Sequence, residues 1–592
     1  MADFGQWVIA SLGSSADADR QPSPTLPQMA MTTPARQRRF RTWILGRDSL
    51  GFKLGLLSLV AYLPGFRWGL PHATHSATVR GWAIDSVAGI STLAELHNLF
   101  VHPAADWYTA YPVFHYLFLA TLYAPYLLYL KLTGGFANPS ADFPFGFADP
   151  EAALRVLAGT GQMVSLLMAA ATVWIVYHIA KALGNRPAAV LAALMVMLAG
   201  PMVYYSRTGN LDVPVQFWTA AGLLVGVYAL QRGLSVRFGV LLGLLAALSV
   251  ATKDQAYGLW IPALLYLAVH HLRNAADGQT GIARWKPVLA LVGSGAAGYA
   301  VLSGLVFWPS RFVQHLHYIR NFDQTFFNVL NPTSITVLHP PTLSGYLGLL
   351  GDLAVALAEA IGPVSLALGV AGLIFLARSS AGARFLGLAL LGYVALTIIP
   401  VRHIQYRYTI FPAFALAVFA GIVGARLLAA RAVSGRVAGT VLLALAVGTQ
   451  GYRALDLTYQ MVKDARYSAS AWLQAQARPG DRIGFFGSFH QLPALPPWLE
   501  PVQLKGDSVV RVLGEERPRY VYVAPDYFSD SLHQRSTFLP EEIYARLKDG
   551  TLGYRLAGRF ETRPLRASWL RHFPYINPPV QVFEAIPGAT AP

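Results

Sequence analysis

An arginine and an aspartate sit five positions apart in VYYSRTGNLDVPVQFW, residues 203–218, between almost purely apolar stretches. A carboxylate near a hydroxyl can take its proton as a general base, and partial desolvation raises its pKa towards working pH. Arginine stays charged, and its planar fork can hold two oxygens of a phosphate. Arg207 and Asp212 are therefore candidates for a functional cavity, where charges near hydrocarbon usually face. The competing reading is mutual neutralisation, or Arg207 reaching out to phosphate headgroups. Three more polar islands interrupt apolar sequence in the same way. They are RGWAIDSVAG (80–89) with Asp85, TKDQAYG (252–258) with Lys253 and Asp254, and RHIQYRY (402–408) with Arg402, His403 and Arg407. A local ion pair competes with chemistry at Lys253 and Asp254, and lipid anchoring competes at Arg402 and Arg407. The spacing of His97, His102, His115, His315 and His317 is not diagnostic of a metal site.

What positions these islands follows from composition. Of 592 residues, 54% are hydrophobic and only 13% charged, and the mean hydropathy is +0.42. A soluble domain carries about 25% charged residues. Many apolar runs approach the roughly 20 residues that a helix needs to cross the hydrocarbon. The chain therefore reads as a polytopic helical membrane protein. Its net charge of +16 is read as basic residues gathered in cytoplasmic loops, not as a nucleic-acid surface. Cysteine is absent, which excludes disulfides, thiol catalysis and Cys-type zinc sites. The first apolar run, FGQWVIASLG, lacks a basic leader and precedes acidic residues, so no cleavable signal is expected. Residues 1–45 are expected to be a disordered cytoplasmic N-terminus, Ser/Pro/Ala-rich over 11–35 and basic in ARQRRFRTWILGR.

Twelve apolar runs lie between residues 50 and 452. If all crossed from a cytoplasmic N-terminus, the basic loops KALGNRP, QRGLSVR, HHLRNAADGQTGIARWK, ARSSAGAR and ARLLAARAVSGR would all lie outside. That opposes the positive-inside bias. Laying 112–132, PVFHYLFLATLYAPYLLYLKL, along the outer interface returns every one of them to the cytoplasm. Its prolines, histidine and scattered tyrosines suit that position. The expectation is an all-α membrane domain over 46–452, with about eleven transmembrane helices and an interfacial helix in a first external loop, 67–153. A soluble external α/β domain is expected over 453–592, with SASAWLQAQA as a helix and DRIGFFGSF and PRYVYVAP as strands. The four polar islands then share the external face, where charges near hydrocarbon usually line a functional cavity. A secondary transporter is the rival, but transporters place their polar groups near the midplane, often within inverted repeats. A lipid-linked glycan flippase or assembly protein without sugar chemistry is the other.

The motifs also carry a resemblance. WGLP, an acidic first loop, YPVFHYL, LMVMLAGPMVYYSRTGNLDVP, ALSVATKDQAYG and YRYTIFPAFALAVFAG occur in that order. The series is similar to the C-class, lipid-phosphosugar-dependent membrane glycosyltransferases. The nearest group is glycosyltransferase family 39, with its protein O-mannosyltransferases and lipid A aminoarabinose transferases, over about residues 50–430. The resemblance implies a polyprenyl- or dolichyl-phosphate-linked sugar donor and an external active site. It implies a catalytic acid at Asp85, where the family's usual acidic pair reads Asp85-Ser86. It maps Asp212 and Arg207 onto a second motif, and Arg402 and Arg407 onto an arginine motif near the lipid phosphate.

Such a donor is already activated, so no nucleotide fold is needed. The expected reaction is a single displacement with inversion at the anomeric carbon. Asp85 would be the base, and Asp212 would orient the acceptor or share a divalent cation, Mg²⁺ or Mn²⁺, with it. Arg402 and Arg407 would hold the phosphate with support from Arg207, and Lys253, Tyr205 and His403 are candidate auxiliaries. The acceptor would be a hydroxyl on protein, lipid or glycan.

Overall fold

The computed structural model describes residues 49–100, 111–274, 281–320, 339–486, 489–504, 508–524, 539–565 and 576–588. The N-terminal segment 1–45 lies outside these residues. Six described helices are long and apolar enough to cross a membrane: Pro150–Leu183, Asp212–Arg232, Leu343–Ile361, Ala381–Val401, Tyr406–Leu428 and Val433–Gln476. Shorter apolar helices, among them Ser49–Tyr62 and Val236–Thr252, pack between them. The chain is an integral membrane protein, mostly helical, with a small C-terminal sheet domain.

Helix ends follow local signals. Asp149 caps Pro150–Leu183 by accepting from Ala152 N, with Pro150 in its first turn. Asn185 and Ser235 cap the helices that begin at Arg186 and Val236 in the same way. At 34 residues, Pro150–Leu183 is roughly 50 Å long and overshoots a hydrocarbon core of about 30 Å. The 112–132 run folds as the helix Phe114–Leu132. It falls outside the set of six because His115, Lys131, Pro125 and its tyrosines dilute its apolar content. The Ile410–Leu428 helix is the axis of the bundle, buried from Ile410 to Ala425. Gly369 and Gly372 let the Pro363–Ser379 helix press against it. A Cβ there would stand 2.7 Å from Leu416 O and 2.8 Å from Phe419 O.

The residue 452/453 junction falls inside a continuous helix, Val433–Val462. After a turn at Lys463 and Asp464, the helix Ala465–Gln476 leads into a five-stranded sheet. Its strands are β1 Arg482–Phe486, β2 Glu500–Leu504, β3 Tyr520–Val523, β4 Tyr554–Phe560 and β5 Val580–Ala585, in the order β2-β1-β3-β5-β4. β1 pairs in parallel with β2 and β3, while β5 runs antiparallel to β3 and β4. Side chains alternate across the strands. Tyr520 and Tyr522 join Leu473 in one apolar layer, and Val521 and Val523 join Leu547 in the other. The domain packs against residues 68–82 of the first loop, so both lie on one side of the bundle.

Candidate active site

Asp85 sits in the left-handed region, φ 60°, which aspartate tolerates better than most residues. Its segment is held by the SRTGNLD turn. Asn210 Nδ2 donates to Ile84 O at 2.8 Å, and Val87 N donates to Gly209 O at 3.0 Å. A Cβ on Gly209 would meet Ala88 Cβ at 2.5 Å and Ser86 Oγ at 2.6 Å. Only glycine permits this approach. The Asp85 carboxylate is paired with Arg407 Nη1. Arg407 comes from the 3₁₀ turn Tyr406–Thr409 that opens the axial helix.

Asp212 and Lys253 form the second acid–base contact, Nζ to Oδ1 at 2.6 Å. Asp212 is the first residue of Asp212–Arg232 and Lys253 follows the last residue of Val236–Thr252. Each charge therefore complements the dipole of the helix end it occupies. Burial pushes the Lys253 ammonium below its ordinary pKa, while Asp212 pulls the other way. The ammonium also lies 5.8 Å from the centre of the Tyr111 ring. Burial pushes the Tyr111 phenol well above its ordinary value.

Two cavities flank these pairs. One is lined by Asp212, Gln216, Lys253, Gln255, Tyr393 and Arg407 among others. The other is lined by Ile84, Asp85, Tyr204, Tyr205, Asn210, Gln405, Tyr406 and Arg407. Arg407 lines both. Among the described residues, Gln216 Nε2, Asn210 Oδ1 and Arg407 Nε are buried without a hydrogen-bond partner. Such orphaned polar atoms are costly and mark where a ligand can be recognised.

The structure brings Asp85, Asp212, Lys253, Tyr205 and Arg407 together around these cavities. Arg402, His403 and Arg207 line neither. Arg402 ends the Ile399–Val401 turn in the left-handed region, with its carbonyl accepting from His339 N. His403 is buried, its Nδ1 donating to Val401 O at 3.0 Å. Arg207 is fully buried. It donates to Tyr62 O at 2.9 Å, Ala61 O at 3.1 Å, Val203 O at 2.7 Å and Thr458 Oγ1 at 2.9 Å. The helix Ser49–Tyr62 ends there with carbonyls lacking intrahelical donors. Arg207 caps that end and ties it to Val433–Val462.

Gln216, Gln255, Asn210 and Gln405 were not singled out from sequence. Gln216 and Thr219 had a readable signal, because they follow Asp212 by four and seven positions and so share its helix face. Among the described residues, no three His, Cys, Asp or Glu side chains gather as a metal site.

Residues 159–292 match the sequence model of the dolichyl-phosphate-mannose-protein mannosyltransferases. The chain is similar to that family. The matched mannosyltransferase-like segment contains Asp212 and Lys253, while Asp85 and Arg407 lie outside it. Several solved structures are also similar to the chain, at low identity. The Cupriavidus metallidurans ArnT bound to undecaprenyl phosphate is 13% identical, with 93% of this chain and 99% of that chain covered and a TM-score of 0.44. The Archaeoglobus fulgidus oligosaccharyltransferase tethered with an acceptor peptide is 14% identical, over 81% of this chain and 69% of that one, with a TM-score of 0.40. The mycobacterial arabinofuranosyltransferase AftD is 15% identical, over 90% and 41%, with a TM-score of 0.39. No curated protein matches the chain.

Proposed function

We propose that the protein moves a sugar from a polyprenyl- or dolichyl-phosphate carrier to an acceptor hydroxyl, by single displacement with inversion. The observation that carries this reading is Arg407, which touches the Asp85 carboxylate and lines both cavities. A cation suited to phosphate and a carboxylate suited to a hydroxyl proton thus meet where two spaces join. The family match supports a lipid-phosphate-linked sugar as donor.

In this reading the donor phosphate occupies the Lys253 side of Arg407 and the sugar reaches towards Asp85. Phosphate binding draws the guanidinium from Asp85 and frees the carboxylate to act as base. The acceptor oxygen bonds to the anomeric carbon as the bond from that carbon to the phosphate oxygen breaks. The acceptor proton goes to Asp85, and the lipid phosphate leaves with its charge held by Arg407 and Lys253. Asp212 keeps Lys253 oriented. Arg207 acts as a structural clamp. Arg402 and His403 act from behind the Arg407 turn.

The donor set does not fit a divalent cation shared by Asp85 and Asp212. Such ions take about six oxygen ligands, whereas each carboxylate here already faces a side-chain cation. No step is assigned to a metal.

The membrane domain, expected over 46–452, is extended in this reading to the end of the Val433–Val462 helix, with the sheet domain beyond it, the N-terminus inside and the sheet domain outside. Acceptor choice then falls to the first loop and the sheet domain that packs on it.

Purified protein incubated with a radiolabelled polyprenyl-phosphate sugar and hydroxyl acceptors tests the reading. Asp85→Asn should fold normally and lower turnover about 10²–10⁴-fold, the usual worth of a general base. Wild-type turnover in that variant would remove Asp85 from the mechanism.

A further inference from the structure

The segment that carries Asp85 is gripped from a second direction, by the sheet domain. Asp464 and Arg466 are almost fully buried and form a two-pronged pair, Nε to Oδ1 at 2.9 Å and Nη2 to Oδ2 at 2.8 Å. Asp464 also accepts from Trp68 Nε1 at 3.0 Å and from Asn577 N at 2.7 Å. The guanidinium carbon of Arg466 stands 4.0 Å from the centre of the Trp82 ring and 5.7 Å from that of Trp68. Around this stack the contacts run directly between loop and domain. Trp82 Nε1 donates to Leu492 O at 2.8 Å, His490 Nδ1 to Gly81 O at 2.6 Å, and Thr74 Oγ1 to Leu495 O at 3.0 Å.

Trp82 is three residues before Asp85, and only the buried Ala83 separates it from Ile84, whose carbonyl Asn210 holds. Three residues span at most about 11 Å of chain. A shift of Trp82 must therefore be passed to Asp85 or absorbed by breaking the Asn210 bond. Simple docking of two domains needs no buried charge, since removing an ion pair from water carries a penalty that apolar packing avoids. A planar cation clamped by a carboxylate over the Trp82 indole, with Trp68 packed edge-on beside it, does something apolar packing does less well. It fixes one orientation and one register.

We propose that Arg466 is a positioning residue for the transfer: the sheet domain sets the place of Asp85 through the Asp464–Arg466 clamp on Trp68 and Trp82. This rests on the reading of Asp85 as base, and it gives the sheet domain a part in the reaction besides any contact with acceptor. Most of the donor side, Asp212, Gln216 and Lys253, hangs on or next to the helices Asp212–Arg232 and Val236–Thr252, so the clamp acts on the Asp85 side first.

The test uses the full-length protein in detergent. Arg466→Met should lower kcat about 10²-fold, the scale of a roughly 1 Å misplacement, and leave KM for the donor unchanged. Arg466→Lys keeps the charge but not the planar stack, and should restore only part of the loss. Hydrogen exchange gives a readout independent of turnover: the Val87 amide, bonded to Gly209 O, should lose protection in Arg466→Met. A folded Arg466→Met with wild-type kcat and wild-type exchange over 82–87 overturns the proposal. If that variant fails to fold, Trp82→Phe keeps a ring beside the guanidinium and removes the donor to Leu492 O. Unchanged exchange in Trp82→Phe then overturns it as well. Should the wild-type protein transfer no sugar, the Asp85 reading falls by itself and the exchange result alone decides the clamp.

Discussion

Two carboxylates meet two cations around the candidate site, and their surroundings differ. The Asp212 and Lys253 side chains are only 7% and 5% exposed, sealed at facing helix ends. The Asp85 side chain is 38% exposed while its partner Arg407 is 11% exposed. A sealed pair is hard to separate, because removing either charge leaves the other buried and unpaired at large cost. A rim pair in partial contact with water is worth little to stability and can be exchanged for another anion. The contrast assigns standing electrostatics to the inner pair and the moving chemistry to the outer one. Arg407 connects the two, since it lines the cavity of each.

The most severe way to break the contrast is to remove the inner cation. Lys253→Met leaves Asp212 buried and unpaired, and should cost about 3–5 kcal/mol of stability, read as a drop in unfolding temperature. The double variant Lys253→Met/Asp212→Leu should recover much of that loss, because no charge remains buried. A single variant as stable as wild type would show that the two side chains do not depend on each other.

The outer cation should answer in the opposite currency. Arg407→Ala should lower turnover about 10²–10³-fold by removing charge stabilisation at the phosphate. Its effect on unfolding should be far smaller than that of Lys253→Met, because Asp85 regains water. Arg407→Lys supplies charge without the fork and should fall between the two. If Arg407→Ala unfolds the protein while leaving kcat intact, the roles of inner and outer pair are reversed.

How much of this was legible in the sequence depends on what each residue needed to be recognised. Asp85, Asp212, Lys253 and Arg407 stood out as charges in apolar surroundings, and folding brings all four to two adjoining cavities. Arg207 stood out equally, yet its fork is taken by Tyr62 O, which lies 145 positions away. Local pattern shows that a charge is present but not which distant carbonyl claims it. Six spanning helices among the described residues, against about eleven expected, and the sheet strands β1 and β3 were readable because apolar length and alternation are local properties. The clamp was not readable. Trp68 and Asp464 are 396 positions apart, and neither DARYS nor RWGLP has a pattern that announces a partner.

The smallest expected effect concerns acid, and it sharpens the contrast because only the outer site depends on the loop. Two histidines near the clamp are held neutral. Burial, with Arg155 beside it, lowers the His72 pKa to about 4, and burial lowers that of His490 as well, despite its bond to Gly81 O. Arg80 and Arg466 also disfavour the charged form of His490, whereas Asp85 favours it. A folded pKa below the unfolded value of about 6.5 means that the unfolded chain takes up the proton first as pH falls. Stability from these groups is therefore complete above about pH 6.5 and drains away below it. For His72 the loss continues down to about 4. His72 keeps some contact with water, so screening makes its share modest. Hydrogen exchange at about pH 7.5 and about pH 5, corrected for intrinsic rate, should show residues 72–87 loosening while the Asp212 and Lys253 helix ends stay protected. Equal loosening at both places would mean that acid acts on the whole fold, and the loop would have no stability of its own to lose.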